Sequence, residues 1–233
     1  MPSCNLYENL VLHQFTDDML RPGGWQITQR MLALAPFSPG ATLLDLGCGA
    51  GKTVAFLRQA GYNAAGLDLS ANLVAKGLAE DATLPLCQGD AAQLPFAEGT
   101  FQGVLCECAF SLFQHKPTVL QEIRRVLKPS GYFLLSDFYR RGSITENLPC
   151  HTCLNDTASQ TDWQQLLQQN GFTQVAWVDQ TDLLRSFTAQ IIFAYGSLAA
   201  FWQAMLGAEA GSLISGHSLK HTGYFTACWR PLL

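Results

Sequence analysis

The segment Thr42-Leu43-Leu44-Asp45-Leu46-Gly47-Cys48-Gly49-Ala50-Gly51-Lys52-Thr53 runs from an apolar stretch through three closely spaced glycines into a predicted helix at 52–60. The apolar stretch predicts a buried strand. Glycines allow the backbone to turn sharply and to approach a ligand, and a helix N-terminus offers free amide donors. The glycine spacing differs from the G-x-G-x-x-G of dinucleotide sites, and Asp45 precedes the first glycine. The segment therefore predicts a ligand-binding turn, with a dinucleotide oxidoreductase as the disfavoured alternative.

Short apolar segments alternate with helical segments on the C-terminal side of this turn. Strands are predicted at 63–67, 84–88, 102–107 and 132–137, with helices at 72–79, for which Ser70 is the predicted N-cap, and at 116–127. A helix at 162–170 and strands at 174–179 and 223–229 follow. Strict alternation with strands that are apolar throughout is typical of a parallel sheet covered by helices on both faces. The sequence therefore predicts an α/β fold.

We expect a single domain over residues 1–233, because no repeat, low-complexity tract or linker divides the chain. Residues 1–40 would form a helical lead-in or lid, and 141–233 a substrate-side loop, a covering helix and the last strands. The covering helix is predicted within 186–208, where no charged residue occurs and large apolar residues follow a helical rhythm. Glutamines and glycines within that stretch favour a buried helix over a membrane span.

Acidic residues lie at the ends of the predicted strands. Asp68 ends the second strand, Gly89-Asp90-Ala91 follows the third, and Glu107 ends the fourth. The carboxyl ends of parallel strands meet at one edge of a sheet, where open α/β sheets bind their ligands. A carboxylate at Asp68 can accept both hydroxyls of a ribose. Asp45, Asp68 and Asp90 could instead be turn or cap residues, and Glu107 could simply face solvent.

These motifs resemble those of the class I S-adenosylmethionine-dependent methyltransferases, in particular the small-molecule branch known as methyltransferase type 11. Segments 44–51, 66–70 and 89–96 are similar to the first three motifs of the family, and 120–131 to its helix and turn before strand five. The resemblance implies a seven-stranded Rossmann-like sheet, mostly parallel with an antiparallel C-terminal strand and with helices on both faces. It also implies an enzyme that transfers the methyl group of S-adenosylmethionine to a small-molecule acceptor and releases S-adenosylhomocysteine.

The resemblance assigns roles within a cofactor-binding core over residues 41–140. The glycine turn would hold the methionine part of the cofactor, and Asp45 would orient the turn and the amino group. Asp68 would bind the ribose hydroxyls with Leu69 against the adenine, and Asp90 would accept a hydrogen bond from the adenine amino group. The full set implied to bind the cofactor is Asp45, Gly47, Cys48, Gly49, Gly51, Asp68, Leu69, Asp90, Ala91 and Glu107.

The sequence does not identify the acceptor or the catalytic residue. His115 follows strand four, where acceptor sites commonly lie in this family, and could act as a general base. The favoured alternative is an ordinary residue at a helix N-terminus. Glu107, Tyr7 and His13 are further candidates, and packing in the lead-in is the favoured role of the last two. Aromatic residues could wall a dry pocket: Trp25, Phe110, Phe113, Tyr139, Tyr195 and Trp202.

The stretch Cys150-His151-Thr152-Cys153 has a spacing that suits a metal. A structural zinc site needs four ligands, and no second C-x-x-C pair occurs, so no metal is expected. Bacterial arsenite methyltransferases, which belong to the same superfamily, carry a reactive cysteine at a place comparable to Cys153. Val54 stands where those enzymes have another cysteine, so arsenite is a minor alternative. A non-catalytic S-adenosylmethionine-binding partner protein is the other alternative.

The charge balance bears on partners and location. The formal net charge is −4, and the longest basic run is Arg140-Arg141, which argues against nucleic acid as a partner. The N-terminus shows no secretory signal, so we expect a reducing cytoplasm in which the eight cysteines are thiols. No membrane partner is expected. The uncharged helix at 186–208 would offer a homodimer face if part of it is exposed.

Overall fold

Seven strands form one sheet in the computed structural model, which describes Glu8 and residues 21–142, 157–206 and 221–232. In chain order they are β1 (Thr42–Leu46), β2 (Asn63–Asp68), β3 (Leu86–Gln88), β4 (Phe101–Glu107), β5 (Leu127–Arg140), β6 (Phe172–Asp179) and β7 (Thr222–Pro231). Their order across the sheet is β3-β2-β1-β4-β5-β7-β6. The first five strands pair in parallel, whereas β7 runs antiparallel to both β5 and β6. The predicted sheet, mostly parallel with an antiparallel C-terminal strand, is confirmed.

Seven helices connect or cover these strands in the described ranges: α1 (Gly24–Leu32), α2 (Lys52–Gln59), α3 (Ala71–Glu80), α4 (Lys116–Val126), α5 (Gln160–Gln169), α6 (Thr181–Tyr195) and α7 (Leu198–Leu206). Local sequence explains several of their starts. The Ser70 hydroxyl accepts a hydrogen bond from the amide of Leu73, which confirms the predicted cap of α3. Ser159 and Asp162 form a capping box at the start of α5.

Helices cover both faces of the sheet. Successive residues of a strand point to opposite faces, so one strand can pack against the helices on both sides. Leu43 packs in a cluster with residues of α1 and α2, whereas Leu44 packs in a second cluster with residues of α4 and α5. The pairs Val104/Leu105 and Leu134/Leu135 divide between the two clusters in the same way. The strands β1, β4 and β5 are therefore apolar on both sides, as the continuous apolar runs predicted.

The chain reverses direction across the sheet between β1 and β4. From β1 it proceeds outward through β2 and β3, and β4 then returns to lie on the other side of β1. Loops that leave two adjacent strands toward opposite sides create a crevice at the carboxyl ends of those strands. Because the glycine turn follows β1 and Glu107 ends β4, both lie at this crevice.

The single covering helix predicted at 186–208 is wrong in one respect. The structure has two helices there, α6 and α7, because Gly196 adopts a left-handed conformation with φ +81° and ends α6. The apolar rhythm is real, since Ile191, Phe201 and Met205 are buried against each other. Phe193, however, is 94% exposed. In the described part of the chain, no helix combines the length and the apolar character needed to cross a membrane.

Candidate functional site

The glycine turn folds over the end of β2. The amides of Gly47 and Cys48 both donate to the carbonyl of Leu67, at 2.8 and 3.2 Å. Gly49 has a φ of +54°, and among the described residues a Cβ added there would meet only the Leu73 side chain, at 4.0 Å. Gly47 has a φ of +80°, and its added Cβ would lie 2.5 Å from the Cβ of Ala109. Gly47 is thus required for close packing, whereas Gly49 borders open space where a ligand can approach the backbone.

Asp68 supports this turn directly. Its Oδ2 accepts from the amide of Gly49 at 2.7 Å, and its Oδ1 accepts from the amide of Ser70 at 2.8 Å. Burial raises the pKa of Asp68, although the two amide hydrogen bonds oppose that rise. Each carboxylate oxygen has a second acceptor position, so Asp68 can hold the turn and still accept from a hydroxyl. The adjacent Leu69 is apolar and 69% exposed.

Asp90 follows the carboxyl end of β3, the strand next to β2. It therefore lies at the same end of the parallel strands as the glycine turn. The Gly89 amide donates to the Asp68 carbonyl at 2.9 Å, which fixes this neighbourhood. The Oδ1 of Asp90 accepts from the amide of Ala92 at 2.8 Å, so Asp90 does form a turn of its own. Ala91 is buried beside it, in the core cluster that covers one face of the sheet. The structure thus brings Asp90 and Ala91 to the edge that carries the glycine turn.

Glu107 does not face solvent, and the alternative that it would do so is wrong. Its Oε1 accepts from the hydroxyl of Thr28 at 2.8 Å, and its Oε2 accepts from the hydroxyl of Thr53 at 2.9 Å. The guanidinium of Arg21 lies 3.2 Å from Oε2 and also donates to both threonine hydroxyls. This buried network joins the lead-in, the start of α2 and the end of β4.

No sequence motif points to Arg21, Thr28 or Thr53 as residues of the site. Arg21 begins the turn-like segment Arg21-Pro22-Gly23-Gly24, which leads into α1. One sequence feature could have indicated a role for Arg21. It is an arginine beside an apolar helix, in a chain in which charged residues are only 14% of the total. A rarely buried residue type in such a place needs a charged partner.

Asp45 is the other buried carboxyl of the site. Only 3% of its surface is exposed, and the described part of the chain donates no hydrogen bond to it. Burial raises its pKa well above 3.8, the negative charge of Glu107 raises it further, and Arg21 opposes the rise. Burial and the neighbouring Asp45 also raise the pKa of the Cys48 thiol, which keeps that group neutral. Asp45 is therefore a buried carboxyl that accepts no hydrogen bond from the described residues, directly beside the turn.

A second buried polar group lies where β4, β5 and β7 end or begin. Cys108 has a φ of +53°, the one left-handed non-glycine residue in the described ranges. Its thiol donates to the Tyr224 hydroxyl at 3.2 Å, and that hydroxyl donates to Ser136 Oγ at 3.2 Å. Burial raises the pKa of the neighbouring Asp137 to about 6, although its carboxylate accepts from the amides of Ser111 and Phe138. Strained backbone and buried polar groups tend to cluster at functional sites.

The segment that matches a known protein family contains the strand ends described above. A model of a methyltransferase domain family matches residues 44–135. An uncharacterised methyltransferase of Synechocystis sp. is 35% identical over an alignment of 149 residues that covers 59% of this chain and 69% of that protein. This chain belongs to the class I S-adenosylmethionine-dependent methyltransferases, in the type 11 branch. The matched segment contains the glycine turn, Asp68, Asp90 and Glu107 of this methyltransferase.

Solved structures share the fold of the methyltransferase. Phosphoethanolamine N-methyltransferase 2 of Haemonchus contortus, solved with S-adenosyl-L-methionine, has a TM-score of 0.76 and 17% identity, covering 95% of this chain and 56% of that one. The [4+2]-cyclase SpnF has a TM-score of 0.74 and 20% identity, covering 89% of this chain and 81% of that one. At this identity the likeness concerns the fold alone. The name of the cyclase also shows that one fold supports more than one reaction.

The remaining predicted residues of the methyltransferase are less informative. His115 is exposed at the N-terminus of α4, and its side chain makes no capping hydrogen bond. Tyr7, His13, Cys150 and Cys153 lie outside the described residues. The predicted aromatic wall is only partly consistent with the structure, because Phe110 is fully buried in the core cluster beneath α4 and α5.

Proposed function

We propose that this methyltransferase binds S-adenosylmethionine at the glycine turn and transfers its methyl group to a small-molecule acceptor. The observation that carries the proposal is the pairing of open space at Gly49 with Asp45, a buried carboxyl that no described group satisfies. A buried carboxyl without a partner is costly unless a ligand supplies one. The cofactor carries an ammonium group that matches this need.

The other residues at the edge match the rest of the cofactor. Asp68 retains acceptor positions for ribose hydroxyls, and the exposed Leu69 offers an apolar surface for a flat base. Asp90 would accept from the adenine amino group, with Ala91 beside the ring. The amides at the start of α2 are suited to a carboxylate. These residues therefore match the groups of S-adenosylmethionine from its amino acid part to its adenine.

The chain itself has to position the acceptor and exclude water, since the bound cofactor supplies an electrophilic methyl group on a sulfonium. Burial raises the pKa of Tyr224 well above 10, so its hydroxyl stays protonated and can only orient groups by hydrogen bonding. We place the acceptor on the side of the crevice next to the carboxyl end of β4, beyond which Cys108, Ser136 and Tyr224 form a buried group. Residues 141–233 and the lead-in would complete that side.

A small acceptor agrees with the charge of the chain. The net charge of −4 and the lack of a long basic run give no track for a nucleic acid backbone. The relative from Haemonchus contortus is named for a small acceptor, phosphoethanolamine. These observations support the class of acceptor and leave its identity to experiment.

A two-part experiment tests the proposal. Calorimetry should show binding of S-adenosylmethionine and S-adenosylhomocysteine, but not of NAD or NADP. The protein should then transfer a tritiated methyl group from the cofactor to a compound of a cell extract, with the label in a product of low molecular mass that chromatography separates from the unreacted cofactor. Binding of a nicotinamide nucleotide alone would overturn the cofactor assignment. Label found only in precipitated RNA or protein would overturn the small-molecule assignment.

A further inference from the structure

Three buried charged side chains meet at the ends of β1 and β4. They are Asp45, Glu107 and Arg21, and at most 9% of each is exposed. Arg21 is ion-paired with Glu107 at 3.2 Å, and Asp45 on the adjacent strand β1 pairs with Leu105, two residues before Glu107, in a region that water scarcely reaches. Such a cluster carries a net negative charge when both carboxyls are ionised, and burial makes that state costly.

The hydrogen bonds of this cluster are divided unequally. Glu107 accepts from Thr28 and Thr53 and pairs with Arg21, as described above. Asp45 receives no hydrogen bond from the described residues and interacts with the other two charges only through space. The Arg21–Glu107 pair is therefore built into the fold, whereas Asp45 is the group whose charge can vary.

The groups that face Asp45 act in different directions. The charges of Glu107 on β4 and Asp68 on β2 raise the pKa of Asp45, whereas Arg21 in the lead-in lowers it. Among the described residues, the other titratable neighbours are the thiols of Cys48 and Cys106, whose pKa values burial raises, so they stay neutral. The charge of Asp45 thus depends on burial and on three charged neighbours, of which Glu107 and Arg21 belong to the network described above.

We propose that Arg21 and Glu107 are positioning residues that set the charge of Asp45, and thereby the pH range in which the site accepts a cationic cofactor. Glu107 holds Arg21 in place, and Arg21 favours the ionised carboxylate that would face the ammonium group of the cofactor. Neither residue needs to touch the cofactor for this role. The inference rests on the proposed function, because it requires a cationic ligand beside Asp45.

Removing either charge should shift the pH midpoint of binding, and the two shifts should have opposite directions. A purely structural role of Arg21 and Glu107 does not predict this result. In Glu107→Gln, loss of the negative charge should lower the pH at which affinity for S-adenosylmethionine reaches half its maximum. In Arg21→Met, loss of the positive charge should raise that midpoint. A shift of roughly one pH unit in each direction is expected from removing a nearby charge. Arg21→Lys retains the charge and should restore the wild-type midpoint.

Calorimetric titration of S-adenosylmethionine between pH 4.5 and 7.5 measures these midpoints, below the range in which an α-amino group loses its proton. Thr53→Val is the matched control, because it removes a hydrogen bond to Glu107 without changing charge, and its midpoint should stay at that of the wild type. If Arg21→Met does not fold, the Glu107→Gln shift against Thr53→Val still decides. A wild type that binds no S-adenosylmethionine contradicts the proposed function. A wild type that binds, with a pH-independent affinity or with a midpoint that Glu107→Gln fails to lower, overturns this inference alone.

Discussion

The carboxylate of Asp68 holds the backbone of Gly49, with 2.7 Å between Oδ2 and the amide nitrogen. The residue that the sequence predicts as the ribose ligand is therefore also a structural support of the turn that would bind the other end of the cofactor. Its substitution should affect both properties together.

We expect Asp68→Ala to weaken binding of S-adenosylmethionine by about ten- to hundred-fold, because losing the acceptor removes about 1–3 kcal/mol. The melting temperature should fall as well, since the turn loses its anchor. Asp81→Ala is the control, because Asp81 accepts from the Thr83 amide and hydroxyl at the other end of α3. Calorimetry with an unchanged affinity for Asp68→Ala would remove Asp68 from the site.

Leu69 allows a test of binding with little effect on folding. An exposed side chain contributes little to stability, so Leu69→Ser should leave the melting temperature nearly unchanged. Its affinity for S-adenosylmethionine should fall by roughly three- to ten-fold, because an apolar contact with the adenine is lost. Val175→Ser is the matched control, since Val175 is 49% exposed on β6 at the far edge of the sheet. Equal affinities for the two variants would contradict the role of Leu69.

At position 108 the glycine variant should be at least as stable as the alanine variant, which is the reverse of their usual order of stability. At an ordinary strand position glycine is about 0.5–1 kcal/mol less stable than alanine. At a φ of +53° alanine keeps the left-handed strain, which costs about 1–2 kcal/mol, and glycine relieves it. Both variants lose the thiol equally. Urea denaturation should therefore find Cys108→Gly at least as stable as Cys108→Ala, and a clearly less stable glycine variant would argue against strain at this residue.

Asp137 should make the protein less stable as the pH rises. Its pKa is about 6 when folded, because of burial, against 3.8 for an ordinary aspartate. Between these values the native state holds a proton that the unfolded state has lost, so the stabilisation present below pH 4 is lost as the pH rises through 6. The shift corresponds to about 3 kcal/mol.

Asp137→Asn isolates this effect from other carboxyl groups, because it cannot ionise. It should be less stable than the wild type at pH 4.5, since one of the two backbone amides loses its acceptor. The difference should shrink as the pH is raised to 7.5. Urea denaturation across this range measures it, and a difference that is independent of pH would show that Asp137 has an ordinary pKa.

The sequence predicts those parts of the site that are formed by residues close together in the chain. The glycine turn, the Ser70 cap and the acids at strand ends are local features with strong chemical preferences. The network around Glu107 could not be predicted, because Thr28 is 79 residues away from Glu107 and Thr53 is 54 residues away. Only folding brings such partners together. The break at Gly196 was missed for a different reason, since the apolar rhythm continues through it and a glycine alone does not end a helix.

The place of β7 has a consequence for how the chain is made. This strand lies between β5 and β6, although it follows both in the sequence. A ribosome therefore completes β5 and β6 before the strand that joins them exists. Until residues 222–231 emerge, β6 has no partner strand, and one edge of β5 stays open to other chains. The C-terminal half of the sheet thus cannot assemble during synthesis of the strands before it, and the nascent chain needs protection at those edges until its seventh strand arrives.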